Sequence, residues 1–102
     1  MSIKKHYLKS RPRCKVTLNL PKQLASNGSK VYVAGDFNQW NPEVTPMKKL
    51  KNGNFQATLD LGTGREYQFR YVIDGKEWRN DDQADKWVPN NYSGDENSVI
   101  IV

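Results

Sequence analysis

The sequence predicts an all-β domain, because its apolar residues recur at every second position and turn signals separate the runs. The clearest alternations cover residues 55–61 and 67–73, and shorter runs cover 16–20, 31–33 and 98–102. No amphipathic stretch is long enough to indicate a helix. About seven short antiparallel strands in a chain of 102 residues suit a two-sheet β-sandwich.

Turn-forming dipeptides support this architecture. Asn52-Gly53 and Asp74-Gly75 supply the positive φ angles that tight turns demand, and they predict two hairpins. Further turns are expected at residues 27–28 and 62–64, which are also rich in glycine. The number and spacing of the strands are typical of the immunoglobulin type of sandwich, without the cysteine pair of antibody domains.

Length and composition indicate one small domain. The chain has 102 residues, a mass of 11.8 kDa and a mean hydropathy of −0.85. No run approaches the roughly 20 apolar residues of a membrane helix, and no apolar segment follows the basic N-terminus as the core of a secretory signal does. We therefore expect a cytoplasmic protein, and we expect it to be a monomer.

The positive charge is concentrated at the N-terminus. Six of the sixteen basic residues lie in the first fifteen positions, where no acidic residue occurs, so the rest of the chain is close to neutral. We predict a basic segment over residues 1–14 and a single domain over 15–102. A neutral body argues against nucleic acid as the main partner. Cys14 and His6, each the only one of its type, predict no disulfide, metal site or cofactor.

Three tryptophans fall in polar, turn-like segments. Trp40, Trp78 and Trp87 lie outside the alternating runs, and Arg70 is on the opposite side of its strand from the apolar residues beside it. Flat indole faces with arginine and amide groups nearby suit a sugar, whose C–H groups stack on the ring while polar side chains bind the hydroxyls. The alternative is that Trp40 and Trp78 cap the ends of the core, and the pattern alone does not decide.

Several motifs in order resemble the family 48 carbohydrate-binding modules. They are VYVAGDFNQW at 31–40, Pro46-Met47, YQFRYVIDG at 67–75, Trp78 and NSV at 97–99. These modules are early-set immunoglobulin-like domains of isoamylases, glycogen branching enzymes and the β subunit of AMP-activated protein kinase. The resemblance extends over residues 16–102, nearly the whole chain.

The resemblance implies non-catalytic binding of α-1,4-glucan chains such as glycogen or starch, here by a free-standing module. In the kinase-type members two tryptophans hold the glucan, and Trp40 and Trp78 match them. A basic residue and an asparagine contact the hydroxyls, and Arg70 and Asn97 match these positions. Trp87 and Tyr92 are candidates for a secondary stacking surface.

The chain departs from the kinase-type pattern in two places. Lys76-Glu77 stands where that type has one residue, and the stretch from Ser93 to Glu96 is polar where it has a leucine and a threonine. These departures favour an alternative, a protein-interaction or regulatory sandwich that has lost sugar binding and docks on a glycogen-metabolising enzyme through its basic segment. Binding of single-stranded nucleic acid is a weaker alternative, because the body of the chain is neutral.

The carboxylates do not indicate an enzyme. A glycosidase holds two acids about 5 to 10 Å apart across a cleft, and a sandwich of this size offers only a shallow surface. The cluster of Asp81, Asp82 and Asp85 lacks the oxygen spacing and central glycine of a calcium loop, so we expect these residues to cap turns.

Overall fold

The computed structural model describes residues 2–25, 30–90 and 95–102, and this part of the chain forms nine strands in two antiparallel sheets. The strands are β1 Ser2–Tyr7, β2 Arg13–Leu20, β3 Val31–Gly35, β4 Lys48–Lys49, β5 Phe55–Gly62, β6 Glu66–Ile73, β7 Glu77–Arg79, β8 Lys86–Pro89 and β9 Glu96–Ile101. A 3₁₀ turn, Asp36–Asn38, follows β3. The predicted all-β sandwich is confirmed, with more strands than expected because several are only two to four residues long.

The first sheet has the strand order β1-β2-β5-β4, and the second has the order β3-β6-β9-β8, with β7 pairing to β6. One side of the sandwich is closed by the segment before β4, which runs along β3. There the Val33 N–H donates to the Thr45 carbonyl at 2.9 Å, and the Met47 N–H donates to the Val31 carbonyl at 2.8 Å. The same segment then pairs with β5, so it belongs to both sheets.

The core between the sheets consists of the alternating residues that the sequence indicated. In β2 and β5 every second side chain points inward, and the register places these side chains opposite one another, as with Val16 and Leu59. The largest fully buried side chains are Tyr71, Phe55 and Phe69. The rings of Phe69 and Tyr71 pack edge to face with centroids 5.7 Å apart.

The predicted hairpin turns form at the expected dipeptides. Gly53 has φ 91° between β4 and β5, while Asp74 and Gly75 have φ 53° and 71° between β6 and β7. Gly64, with φ 74°, turns the chain between β5 and β6. The turn predicted at 27–28 lies outside the described residues.

The basic N-terminal segment differs from the expectation that it precedes the sandwich. Residues 2–7 form β1, which pairs with β2 along its whole length, and the predicted boundary at residue 15 falls inside β2. Ile3 packs against the core, and His6 lies opposite Lys15. The sequence signal was weak because lysines dominate this strand, as they often do at sheet edges, where charge discourages further pairing.

No helix in the described ranges is long and apolar enough to cross a membrane. Cys14 is buried on the inner face of β2 as a free thiol.

Candidate functional site

The segment from Gly35 to Trp40 forms a tight corner that leaves β3 and crosses the end of β6. Gly35 is extended, with φ −173°, and is needed for space rather than for its backbone angle. A Cβ there would lie 2.5 Å from the Gln68 carbonyl oxygen and 2.8 Å from the Cβ of Phe69. Phe37 packs against the core from the 3₁₀ turn that follows. The first and third residues of the motif therefore attach the corner to the sandwich.

Asn38 ties this corner to the strands around it. Its Oδ1 accepts a hydrogen bond from the Gly35 N–H at 3.0 Å. Its Nδ2 donates to the Val33 carbonyl at 2.8 Å and to the Thr45 hydroxyl at 2.9 Å. Because its oxygen and its NH₂ group are both bonded to the surrounding protein, Asn38 shapes the site rather than serving as a ligand-binding group.

Trp40 ends the corner with its indole held in place. Gln39 and Trp40 both have left-handed backbone angles, φ 57° and 59°, and the Trp40 N–H donates to the Gly35 carbonyl at 2.9 Å. The indole Nε1 donates to Asp36 Oδ1 at 2.9 Å. The other carboxylate oxygen of Asp36 accepts the Gln68 N–H of β6 at 2.8 Å. Trp40 is half-buried.

The side of the second sheet that faces away from the core, here called the outer face, collects most of the predicted site. Arg70 lies opposite Ala34 of β3, and Trp78 lies opposite Val72. Directly opposed residues in a sheet point to the same side. The members of the outer face used below are Tyr32, Ala34, Gln68, Arg70, Val72, Trp78, Asn97 and Val99.

Trp78 reaches this face although one extra residue precedes it. The Lys76 N–H donates to the Ile73 carbonyl at 3.0 Å, which closes the turn, and Glu77 rather than Lys76 pairs with Ile73. The extra residue is taken up in the turn, so Trp78 pairs with Val72 and shares its side of the sheet. The indole is 39% exposed.

Arg70 of β6 makes a side-chain contact with β7. Its Nη2 donates to the carbonyl oxygen of Trp78 at 3.4 Å, a long contact between β6 and β7. Within the described residues, the buried Nε of Arg70 has no hydrogen-bond partner. The guanidinium is half-buried and is a donor of N–H groups only.

Asn97 is the most enclosed of the four predicted residues, with 7% of its surface exposed. Its Nδ2 donates to Gln68 Oε1 at 3.1 Å, and its Oδ1 accepts from Asn90 Nδ2 at 3.2 Å. An asparagine amide has two N–H groups and two lone pairs, so capacity remains for one more bond of each kind. Asn97 also orients Gln68, which the sequence did not single out.

A small apolar layer lies beneath the polar groups of the outer face. Ala34, Val72 and Val99 are fully buried although they point away from the main core. Larger side chains on the same face cover them, which gives Arg70 and Trp78 a packed base. Tyr32, half-buried opposite Val72, adds an aromatic ring beside them. Its outward position was already visible in the strand alternation.

Trp87 does not join this group. It pairs with Ser98, on the opposite side of the second sheet from Asn97, which pairs with Val88. It is 42% exposed, and its Nε1 donates to the carbonyl oxygen of Asp81 at 3.0 Å. Trp87 therefore lies apart from Trp78 and Arg70, so a secondary stacking surface of Trp87 and Tyr92 would be separate from the outer face. Tyr92 lies outside the described residues.

The Asp81 carboxylate is fully buried and serves the fold. Its Oδ2 accepts the Tyr71 hydroxyl at 2.6 Å, and its Oδ1 accepts the Gln83 N–H at 2.7 Å. Burial raises the pKa of Asp81 above the usual aspartate value, although these two hydrogen bonds oppose the shift. Burial and the neighbouring carboxylate raise the pKa of Tyr71 as well. In the described ranges, no group of three His, Cys, Asp or Glu side chains could hold a metal ion.

The side of the first sheet that faces away from the core differs from the outer face of the second sheet in its side chains. Its strands present polar and basic side chains, among them Lys4, Lys15, Thr17 and Thr58. The hydroxyls of Thr17 and Thr58 approach to 3.5 Å, and no phenylalanine, tyrosine or tryptophan lies on this side of the described strands. A surface suited to stacking on a sugar is therefore found on the second sheet.

A β-sandwich that displays tryptophan, arginine and amide groups on one sheet has the fold and surface of a carbohydrate-binding module. Comparison with known families agrees, because residues 22–102 match the family model described as the glycogen recognition site of AMP-activated protein kinase. The chain belongs to this family of glycogen-binding modules, and the resemblance to family 48 is confirmed. Modules of this kind are non-catalytic domains.

Individual relatives point the same way. The chain is 37% identical over 57 residues to the 5'-AMP-activated protein kinase subunit beta-2 of Mus musculus, Rattus norvegicus and Homo sapiens. The match covers 56% of this chain and spans about a fifth, 20%, of the length of each relative.

Proposed function

We propose that the module binds α-1,4-glucan chains of the glycogen or starch type on the outer face of the second sheet. The observation that supports this most directly is the register, which sets Trp78, Arg70 and Asn97 on neighbouring strands of one face. Trp40 stands at the end of the same sheet, joined to β6 through Asp36.

In this proposal the two indoles stack on successive glucose units. The indole N–H of Trp40 is already bonded to Asp36, so Trp40 offers its ring face and not a hydrogen bond. Arg70 and the remaining N–H of Asn97 donate to hydroxyls along one edge of the chain. An α-1,4 chain curves and a β-1,4 chain is flat, so the angle between the indole planes selects the α-glucan.

We expect modest affinity for short oligosaccharides. Each stacked ring contributes about 1 to 3 kcal/mol, by analogy with rings that stack on bases, and exposed hydrogen bonds add little because they replace bonds to water. A dissociation constant of about micromolar to millimolar follows. A branched polymer presents many chain ends at once, so retention on glycogen should be stronger than the affinity of one site.

The first experiment compares three tryptophan variants in retention on glycogen and in titration with maltoheptaose. We expect Trp78→Ala and Trp40→Ala to lose most of the binding, because each removes a stacking ring. Trp87→Ala is the matched variant, since its indole is about as exposed as that of Trp78 but lies on the other side of the sheet. It should bind as the wild type does.

Folding of each variant is checked by circular dichroism and thermal unfolding, and Tyr7→Ala provides a remote aromatic control on β1. Cellohexaose tests the selectivity for α-glucan. Loss of binding in folded Trp87→Ala with retention in folded Trp78→Ala would place the site elsewhere. Absence of binding by the wild type would overturn the proposal and favour a module that recognises protein.

A glycogen-acting enzyme is a second proposed partner. The relatives are named as kinase subunits, which supports assembly with an enzyme. The basic side of the first sheet lies away from the proposed glucan site and leaves room for such a contact. Affinity purification before and after amylase digestion distinguishes the cases. An enzyme that stays bound after digestion supports direct docking, whereas one released with the glucan contradicts it.

A further inference from the structure

The carboxylate of Asp36 lies between the Trp40 indole and strand β6, whose relative positions matter for the proposed site. One oxygen accepts the Trp40 indole N–H at 2.9 Å, and the other accepts the backbone N–H of Gln68 at 2.8 Å. We infer that Asp36 is a positioning residue that sets the plane of the Trp40 indole relative to β6 for stacking on glucan. This inference rests on the function proposed above, and it assigns Asp36 no direct contact with sugar.

The chemistry of the contact calls for a carboxylate. Both neighbours of Asp36 are N–H donors, so the side chain between them must offer two acceptor atoms and no donor. Asparagine has the same shape but only one acceptor oxygen, and its NH₂ group would face one of the N–H groups. If the asparagine oxygen accepts the Gln68 N–H, the indole N–H of Trp40 is left without an acceptor.

The indole needs this contact because the rest of the corner fixes the backbone and not the ring. Asn38 and the bond from the Trp40 N–H to the Gly35 carbonyl hold the main chain of the loop. The side-chain torsions of a half-buried tryptophan remain free to change rotamer. Holding the ring in the stacking orientation before the sugar arrives lowers the entropic cost of binding.

The test is a double-mutant cycle with Asp36→Asn and Trp40→Phe, measured as affinity for maltoheptaose and retention on glycogen. Phenylalanine keeps an aromatic ring but has no N–H for Asp36 to hold. We expect Asp36→Asn to weaken binding about 3- to 10-fold in the wild type, the size of one hydrogen bond. In the Trp40→Phe background the same change should alter binding less than about twofold.

Asp60→Asn is the matched control, because Asp60 is an exposed carboxylate on β5 of the other sheet, where it pairs with Arg13. It should leave glucan binding unchanged. An equal loss on Asp36→Asn in both backgrounds would overturn the inference, since it would mean that Asp36 acts on the sugar or on the fold and not through the indole.

A second readout does not depend on sugar. The indole N–H resonance of Trp40 in NMR should shift and exchange faster with solvent in Asp36→Asn, while that of Trp87, bonded to Asp81, should not change. An unchanged Trp40 resonance would overturn the inference even if binding fell. If the wild type binds no glucan, the proposed function fails, and the Trp40 resonance still reports whether Asp36 holds the indole.

Discussion

The residues of the motif from Gly35 to Trp40 have two kinds of role. Some hold the corner to the sandwich, and the others lie on its surface. Gly35, Phe37 and Asn38 attach the loop to β3, β6 and the core. Asp36 and Trp40 face outward, and the first orients the second. Most of a motif associated with binding is therefore structural, and its substitution is expected to affect stability before affinity.

Gly35→Ala tests this division. The new Cβ would meet backbone and core atoms at 2.5 and 2.8 Å, so we expect a loss of about 2 to 3 kcal/mol in the free energy of unfolding. Gly62, at the end of β5, is the matched position, because a Cβ there would have ordinary contacts at 3.5 and 3.6 Å. Urea unfolding of both alanine variants is the measurement, and equal midpoints would contradict the steric argument.

Among the elements, the connection between β7 and β8 depends on one buried polar cluster. Asp81 accepts the Tyr71 hydroxyl from β6, and its N–H donates to the Ser98 hydroxyl on β9 at 2.8 Å. Asn80 extends the cluster by accepting the Ser98 N–H at 2.9 Å. These bonds join the connection to the two central strands of the second sheet.

The raised pKa of Asp81 predicts that this carboxyl group stabilises the fold more in acid than at neutral pH. Because the folded state holds the proton more tightly than the unfolded state, the contribution of Asp81 to stability is fully present below about pH 4 and is lost as the pH rises through the raised pKa. Asparagine has no titrating carboxyl group, so the Asp81→Asn variant has no such loss of stability as the pH rises. Its unfolding free energy relative to wild type should therefore rise between pH 4 and 7, in melts at matched ionic strength. A flat difference would contradict the shift.

At the scale of the whole molecule, one ionic contact connects the edges of the two sheets. Lys5 of β1 bonds Asp85 at 2.7 Å, and the same carboxylate oxygen accepts the Ile101 N–H of β9 at 2.7 Å. Burial alone would raise the pKa of Asp85, but these hydrogen bonds and the charge of Lys5 outweigh it, so the pKa is lowered. The basic N-terminal strand is thereby attached to both sheets.

Asp85→Asn should show the reverse trend to Asp81→Asn. The contribution of Asp85 is present above about pH 4 and is lost as the pH falls through its lowered pKa. We expect a cost of about 1 to 2 kcal/mol at pH 7 that shrinks in acid, measured by thermal unfolding. Asp60→Asn, which breaks the exposed pair with Arg13, should cost less than about 0.5 kcal/mol. Equal costs for the two variants would show that the contact between sheets adds nothing.

The fold could be predicted in most of its parts, and the site could be predicted in only some. Alternation located β2, β3, β5 and β6, and the short apolar run at 98–102 located β9. It missed β1 because Lys5 interrupts the alternation between Ile3 and Tyr7, and it missed β7 and β8 because they are short. The motifs predicted Trp40, Arg70, Trp78 and Asn97, and the sheet register gathers the last three on one face.

By itself, the sequence determined that this is an all-β sandwich of a glycogen-binding family, since periodicity, turn dipeptides and ordered motifs are local properties of the chain. Only the tertiary structure decided which tryptophans share a face. Pairing between strands far apart in sequence sets Trp78 beside Val72 and turns Trp87 to the other side. It also brought Gln68 to Asp36, 32 positions away, because contacts at that separation depend on how the sheets close.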